Sequence, residues 1–147
     1  MKVAYLTRRI TFSAAHRYHR PEWSEARNQE VFGACANAPG HGHNYVLEVT
    51  VRGTIDPETG FSVDLAALDS ALRRQVTQPL DHQHVNHAVD AFADGGLVPT
   101  TENLLAWLWP RLAGEIPSPA RLERLRLAEE PGFWVDYHGG SAVHESG

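Results

Sequence analysis

Apolar and polar positions alternate along some stretches of the chain and recur at helical spacing along others. Ile10, Phe12 and Ala14 share one parity and run straight into His16, which predicts a strand over residues 2–16. Residues 17–34 carry no such pattern and read as a polar loop holding Arg20-Pro-Glu-Trp and Arg27-Asn-Gln-Glu. Over residues 41–53, Tyr45, Leu47, Val49 and Val51 alternate with Val46, Glu48, Thr50 and Arg52, a second strand. Asp56-Pro-Glu-Thr-Gly60 is a turn. Asp64 then caps a predicted helix whose apolar stripe is Leu65, Leu68, Leu72 and Val76, and Pro79 should stop it. A loop follows from Leu80 to Gly95-Gly96.

Pro99-Thr100-Thr101-Glu102-Asn103 opens the second helix, with threonine as cap and an acid in the first turn. Leu104, Leu105, Leu108 and Leu112 form its buried face, and Pro110 is expected to kink or interrupt it. After Pro117-Ser-Pro119, residues 123–130 alternate as a third strand. Pro131-Gly132 turns the chain into a fourth, marked by Phe133, Val135 and Tyr137. Residues 139–147 are small and polar and are expected to fray. Without repeats or linkers, the chain reads as a single domain over residues 1–147. The order ββααββ implies an α+β fold, a four-stranded antiparallel sheet with both helices on one face. Such a sheet has two open edges, and joining sheets between subunits is one way to cover them, which predicts a homo-oligomer.

Composition narrows the classes. A chain of 147 residues, 42% hydrophobic and 21% charged, can bury a sizeable core. No apolar run reaches the roughly 20 residues needed to cross a bilayer, and the N-terminus lacks an apolar leader, so the expectation is a cytoplasmic protein. A net charge of −5 argues against nucleic-acid binding. The first 27 residues nevertheless carry Lys2, Arg8, Arg9, Arg17, Arg20 and Arg27 against Glu22 and Glu25, a local basic patch able to hold an anionic small molecule.

Histidine placement changes the picture most. His41 and His43 continue the parity of Tyr45 and Leu47, and His16 continues that of Phe12 and Ala14. Three imidazoles extending core-facing strand faces need partners, because an unpaired buried ring is costly. Two adjacent antiparallel strands would bring them together as a zinc site with an open fourth position. Gly42 between two of them permits close backbone approach. His84 and His87, with His82, form a competing cluster that follows no strand alternation. Cys35, the single cysteine, has three open readings: an inert buried thiol, a fourth zinc ligand, or a reactive thiolate near a metal-bound substrate. Asp81-His82 is either a surface hydrogen bond or a general acid/base pair. Glu129 shares a strand face with Leu125 and Leu127, where a carboxylate must meet donors. Two adjacent N–H groups of an amino-heterocycle would suit it.

Taken together, Phe12-Ser-Ala-Ala-His16, Phe32-Gly-Ala-Cys35, Gly40-His41-Gly-His43-Asn-Tyr45, Leu80-Asp81-His82, Pro99-Thr-Thr-Glu102-Asn and Glu129 resemble the 6-pyruvoyl-tetrahydropterin synthase family, which includes the 6-carboxy-tetrahydropterin synthases of queuosine biosynthesis. The resemblance covers nearly the whole chain. It implies the tunnelling fold, in which sheets of three subunits join into a barrel and two trimers stack as a homohexamer with active sites between subunits. It implies zinc on His16, His41 and His43, Cys35 as a catalytic acid or base, and Asp81 with His82 as a second proton-transfer pair from a neighbouring subunit. Glu129 would anchor the pterin, helped by Thr100, Thr101 and Glu102. The implied reaction eliminates triphosphate from 7,8-dihydroneopterin triphosphate and rearranges the side chain without a redox cofactor. The five residues between Cys35 and His41, and Thr-Thr-Glu-Asn, favour the pyruvoyl-forming branch, with the carboxy-forming branch as the alternative. Gln83-His84-Val85 and the Glu129-Glu130 doublet depart from the commonest forms. A zinc-stabilised pterin-binding module without turnover stays open. A metal hydrolase is disfavoured by the absence of His-Glu-x-x-His.

Overall fold

The two alternating stretches pair with each other along their whole length. In the computed structural model, which describes residues 1–140, β1 (Val3–His16) runs antiparallel to β2 (His41–Thr54), with Phe12 opposite Tyr45 and His16 opposite His41. β4 (Arg121–Glu130) pairs antiparallel with the other side of β2, and β5 (Phe133–Tyr137) with β4.

Two helices cover one face of this sheet. Phe12, Tyr45, Leu47, Val49, Leu125 and Leu127 share one buried core with Leu68 and Leu72 of α2 (Leu65–Leu72) and with Leu104, Leu105, Leu108 and Leu112 of α5 (Thr101–Ala113). Each such side chain removed from water contributes about 1.5–3 kcal/mol. Both helices start where their caps predict. The Asp64 side chain accepts from the Ala67 N–H, and the Thr100 hydroxyl from that of Asn103. The opposite face is polar. Glu48 accepts from Arg9 and Arg124, Asp136 from Arg126, and the Thr7 and Thr50 hydroxyls meet at 2.7 Å.

The sheet departs from expectation at one edge. A two-residue strand, β3 (Gln83–His84), pairs parallel with Ala14 and Ala15 of β1. The sheet is therefore five-stranded and mixed, in the order β3-β1-β2-β4-β5, and not four-stranded antiparallel. Two residues are too few to leave an alternation in the sequence. The predicted polar loop contains α1 (Glu25–Phe32), capped by Ser24 and followed by a 3₁₀ turn over Gly33–Ala36. Asn28 is its one buried residue, so α1 has no apolar stripe to read. The Asn28 amide instead spends its bonds on the backbone of Arg20 and Ser24. A further short helix, α4 (Val85–Ala88), lies in the predicted loop after Leu80.

The first predicted helix ends at Leu80, one residue past Pro79. α2 continues through a π-helical segment, Arg73–Thr77, into α3 (Gln78–Leu80), and the widened turn receives the proline ring. Pro110 does not interrupt α5, which runs on to Ala113. Ala106 and Pro110 are both exposed, so the carbonyl that proline leaves unbonded faces water. β4 begins at Arg121, with irregular register opposite Thr50/Val51 and between Ala128 and Glu130. Three of the basic residues near the N-terminus meet acids: Arg8 pairs with Asp69, Arg9 with Glu48 and Arg20 with Glu22. Among the described residues no helix is long and apolar enough to cross a membrane. From residue 141 the tail expected to fray lies outside the described residues.

Candidate active site

The β1–β2 register builds the centre. His16 and His41 are paired across the ladder, and His43 stands beside them on the same face, opposite Ala14. Their nitrogens all lie within 4.8 Å of one another. His16 is fully buried, with Nδ1 2.7 Å from the Tyr45 hydroxyl. A proton on Nδ1 donated to that oxygen leaves the Nε2 lone pair facing His41 and His43. Among the described residues, His16 Nε2 and His43 Nε2 are buried without hydrogen-bond partners. Burial first, then the neighbouring His43, His41 and His84, push the His16 pKa down to about 3, so its neutral, ligating form prevails near neutrality. Three convergent imidazoles with two orphaned nitrogens suit a divalent cation such as zinc.

The loop from Cys35 to His41 packs tightly against this trio. Cys35 Sγ lies 3.7 Å from His41 Nε2, and the Cys35 carbonyl accepts from the Tyr18 N–H at 2.8 Å. Burial, then the charge of Glu129, push the thiol up. This leaves the ligand and proton-transfer readings of Cys35 both open, although its sulfur is not in the group of mutually close ligand atoms. Gly40 has φ +116°, and a Cβ there would collide with the His16 carbonyl and come within 3.1 Å of His84 Nε2. His84 Nε2–H in turn donates to the Pro39 carbonyl at 2.8 Å. The close backbone approach expected at Gly42 belongs to Gly40, because a Cβ on Gly42 would make only ordinary contact with the Ala14 carbonyl.

Glu129 reaches the trio from β4. It is 8% exposed, accepts from the Tyr18 hydroxyl at 3.1 Å through Oε1, and places that oxygen 3.5 Å from His16 Nε2 and 3.8 Å from His43 Nε2.

The remaining predicted residues are not bonded to the trio among the described residues. Asp81 Oδ1 accepts from the Ser13 N–H at 2.8 Å, and Oδ2 lies 3.0 Å from His82 Nδ1. The Ser13 N–H, then His82, hold the Asp81 carboxyl below the usual range. His82 sits at φ 61° with its side chain 82% exposed. It lines, with Gly42, His43, Asn44 and His84, an open cleft of about 400 Å³. Thr100 caps α5, Thr101 is buried, and Glu102 is exposed at the head of that helix. Among the described residues the competing histidines form no ligand group of three: His82 pairs with Asp81, while His84 stacks on His87 and bonds Pro39.

Two tyrosines join the site that the sequence did not single out for chemistry. Tyr45 reads as a core residue, yet its hydroxyl meets His16. The signal was present, since a tyrosine on a buried face needs a partner for its O–H. Tyr18 lies just past β1 and stacks on His16 with ring centroids 4.5 Å apart.

Residues 5–140 match the family described as 6-pyruvoyl tetrahydropterin synthase. The chain is 44% identical over 136 residues to the 6-pyruvoyl tetrahydrobiopterin synthase of Homo sapiens, covering 92% of each chain. It is 42% identical over 137 residues to that of Drosophila melanogaster, covering 93% of this chain and 80% of the other. The structure of Caenorhabditis elegans 6-pyruvoyl tetrahydropterin synthase superimposes with a TM-score of 0.87 at 35% identity, covering 95% of this chain and 98% of that one.

Proposed function

From the premise that the chain belongs to the 6-pyruvoyl tetrahydropterin synthase family, we propose that it is a zinc-dependent enzyme eliminating triphosphate from 7,8-dihydroneopterin triphosphate. The side chain is oxidised as the ring is reduced, giving 6-pyruvoyl-tetrahydropterin with no external oxidant. The observation that carries this reading is the convergence of His16, His41 and His43, two of their nitrogens orphaned, with a carboxylate oxygen 3.5 Å away.

In this reading the three histidines hold the zinc, which when bound acts as a Lewis acid toward the substrate's side-chain oxygens. Glu129 accepts from adjacent N–H groups of the pterin, with Thr100, Thr101 and Glu102 completing the ring's recognition. Cys35 Sγ takes and returns a side-chain proton. Burial works against its thiolate, and a cation held by the adjacent trio works for it. The Asp81–His82 pair, held on Ser13 and not bonded to its own trio, serves the site of a neighbouring chain in a homohexamer. Ionised Asp81 beside His82 gives that imidazole a fixed tautomer and a counter-charge for the proton it carries.

The test incubates purified protein with 7,8-dihydroneopterin triphosphate, with and without a chelator, and reads triphosphate release and product mass. The expected result is chelator-sensitive release with the mass of the pyruvoyl product. The carboxy product would move the chain to the other branch. Pterin binding with no release would make it a binding module and overturn the catalytic reading.

A further inference from the structure

The Glu129 carboxylate stands between two sets of partners. On one side the Tyr18 hydroxyl donates to Oε1 at 3.1 Å; on the other, His16 Nε2 and His43 Nε2 lie 3.5 and 3.8 Å from that same oxygen, with no partners of their own. Ligand atoms sharing a tetrahedral zinc at bond lengths near 2.1 Å stand about 3.4 Å apart. Oε1 is thus already close to the separation at which it could join the imidazoles as a fourth ligand. A carboxylate so used would be lost to a pterin and would fill the position a substrate needs.

Tyr18 is built to settle where that oxygen goes. Its ring stacks on His16, its backbone N–H is bonded to the Cys35 carbonyl, and its edge meets Phe32, which stacks in turn on Trp23. These contacts from three directions fix the hydroxyl over Glu129. A hydrogen bond to an ionised acceptor is among the stronger ones, and it draws charge from the oxygen a cation would attract.

We propose that Tyr18 is a positioning residue that holds the Glu129 carboxylate off the metal, so that Glu129 anchors substrate and the fourth metal position stays open. This rests on the zinc and pterin reading above. It makes Tyr18 act through Glu129 on two ligands in opposite directions, which a merely structural tyrosine would not do.

The experiment uses Tyr18→Phe, which keeps the ring stack and removes only the hydroxyl, alone and combined with Glu129→Gln. Three measurements avoid turnover: zinc affinity by chelator competition, the visible spectrum of the cobalt(II)-substituted protein, and affinity for neopterin by its own fluorescence. Y18F should bind zinc about fivefold more tightly and neopterin about tenfold more weakly, with shifted cobalt bands. Adding E129Q should return the zinc affinity and cobalt bands to wild-type values while neopterin binding stays weak. Unchanged zinc affinity and cobalt bands in Y18F would overturn this assignment alone, as would a parallel loss of zinc and neopterin. A wild-type protein that binds no zinc would overturn both this assignment and the reading beneath it.

Discussion

A fully buried imidazole persists only in the protonation state its surroundings accept, and for His16 that state is neutral. Its pKa falls from 6.5 to about 3, chiefly through burial. As pH drops below 6.5 the unfolded chain takes up a proton at this residue that the folded chain refuses until about 3. His16 therefore withdraws stability across that window. The metal-free protein should lose thermal stability between about pH 7 and pH 5, before most carboxylates titrate, and His16→Asn should remove a large part of that loss. An equal loss in the variant would show that His16 is not the group responsible. The histidine trio was legible in the sequence because strand parity announces which rings share a face. Tyr18 was not, because the carboxylate that gives it meaning lies 111 residues away and on another strand.

Elements differ in how plainly they write themselves into a chain. β1, β2, α2 and α5 bury whole faces, and their periodicity follows from that burial. α1 buries only Asn28, and β3 pairs only two residues, so neither had a pattern to show. The π-helical segment that carries the chain past Pro79 is a local accommodation for which the sequence offers no spacing rule. The loop between α1 and β2 is constrained at Gly40, where positive φ and contact with the His16 carbonyl coincide. Gly60 also has positive φ, +79°, but no atom waits within 4 Å. Gly60→Ala should cost about 1–2 kcal/mol in denaturant unfolding. Gly40→Ala should cost about 3 kcal/mol or more and lower zinc occupancy, because the added carbon runs into the His16 carbonyl and must push that residue aside. Equal costs with unchanged zinc would mean that the loop does not brace the metal site.

At the scale of the molecule, the α+β class, the helices' shared face and the antiparallel pairing of the first two strands were legible from burial periodicity. The mixed character of the sheet was not. That unexpected edge bears on assembly: β3 pairs only with Ala14 and Ala15, Asp81 and His82 bond the Ser13 backbone, no described strand pairs with the outer edge of β1 before that point, and β5 ends the sheet on the other side with Phe133 and Trp134 exposed. Open edges favour pairing between chains. Native mass spectrometry of the protein purified with zinc counts metal ions per chain in the assembled state, and so tests the central claim that the trio is a zinc site. One zinc is expected for every chain in the wild-type assembly and none in an assembled His43→Ala variant. A wild-type assembly without zinc, or a variant that keeps its full complement, would contradict that claim.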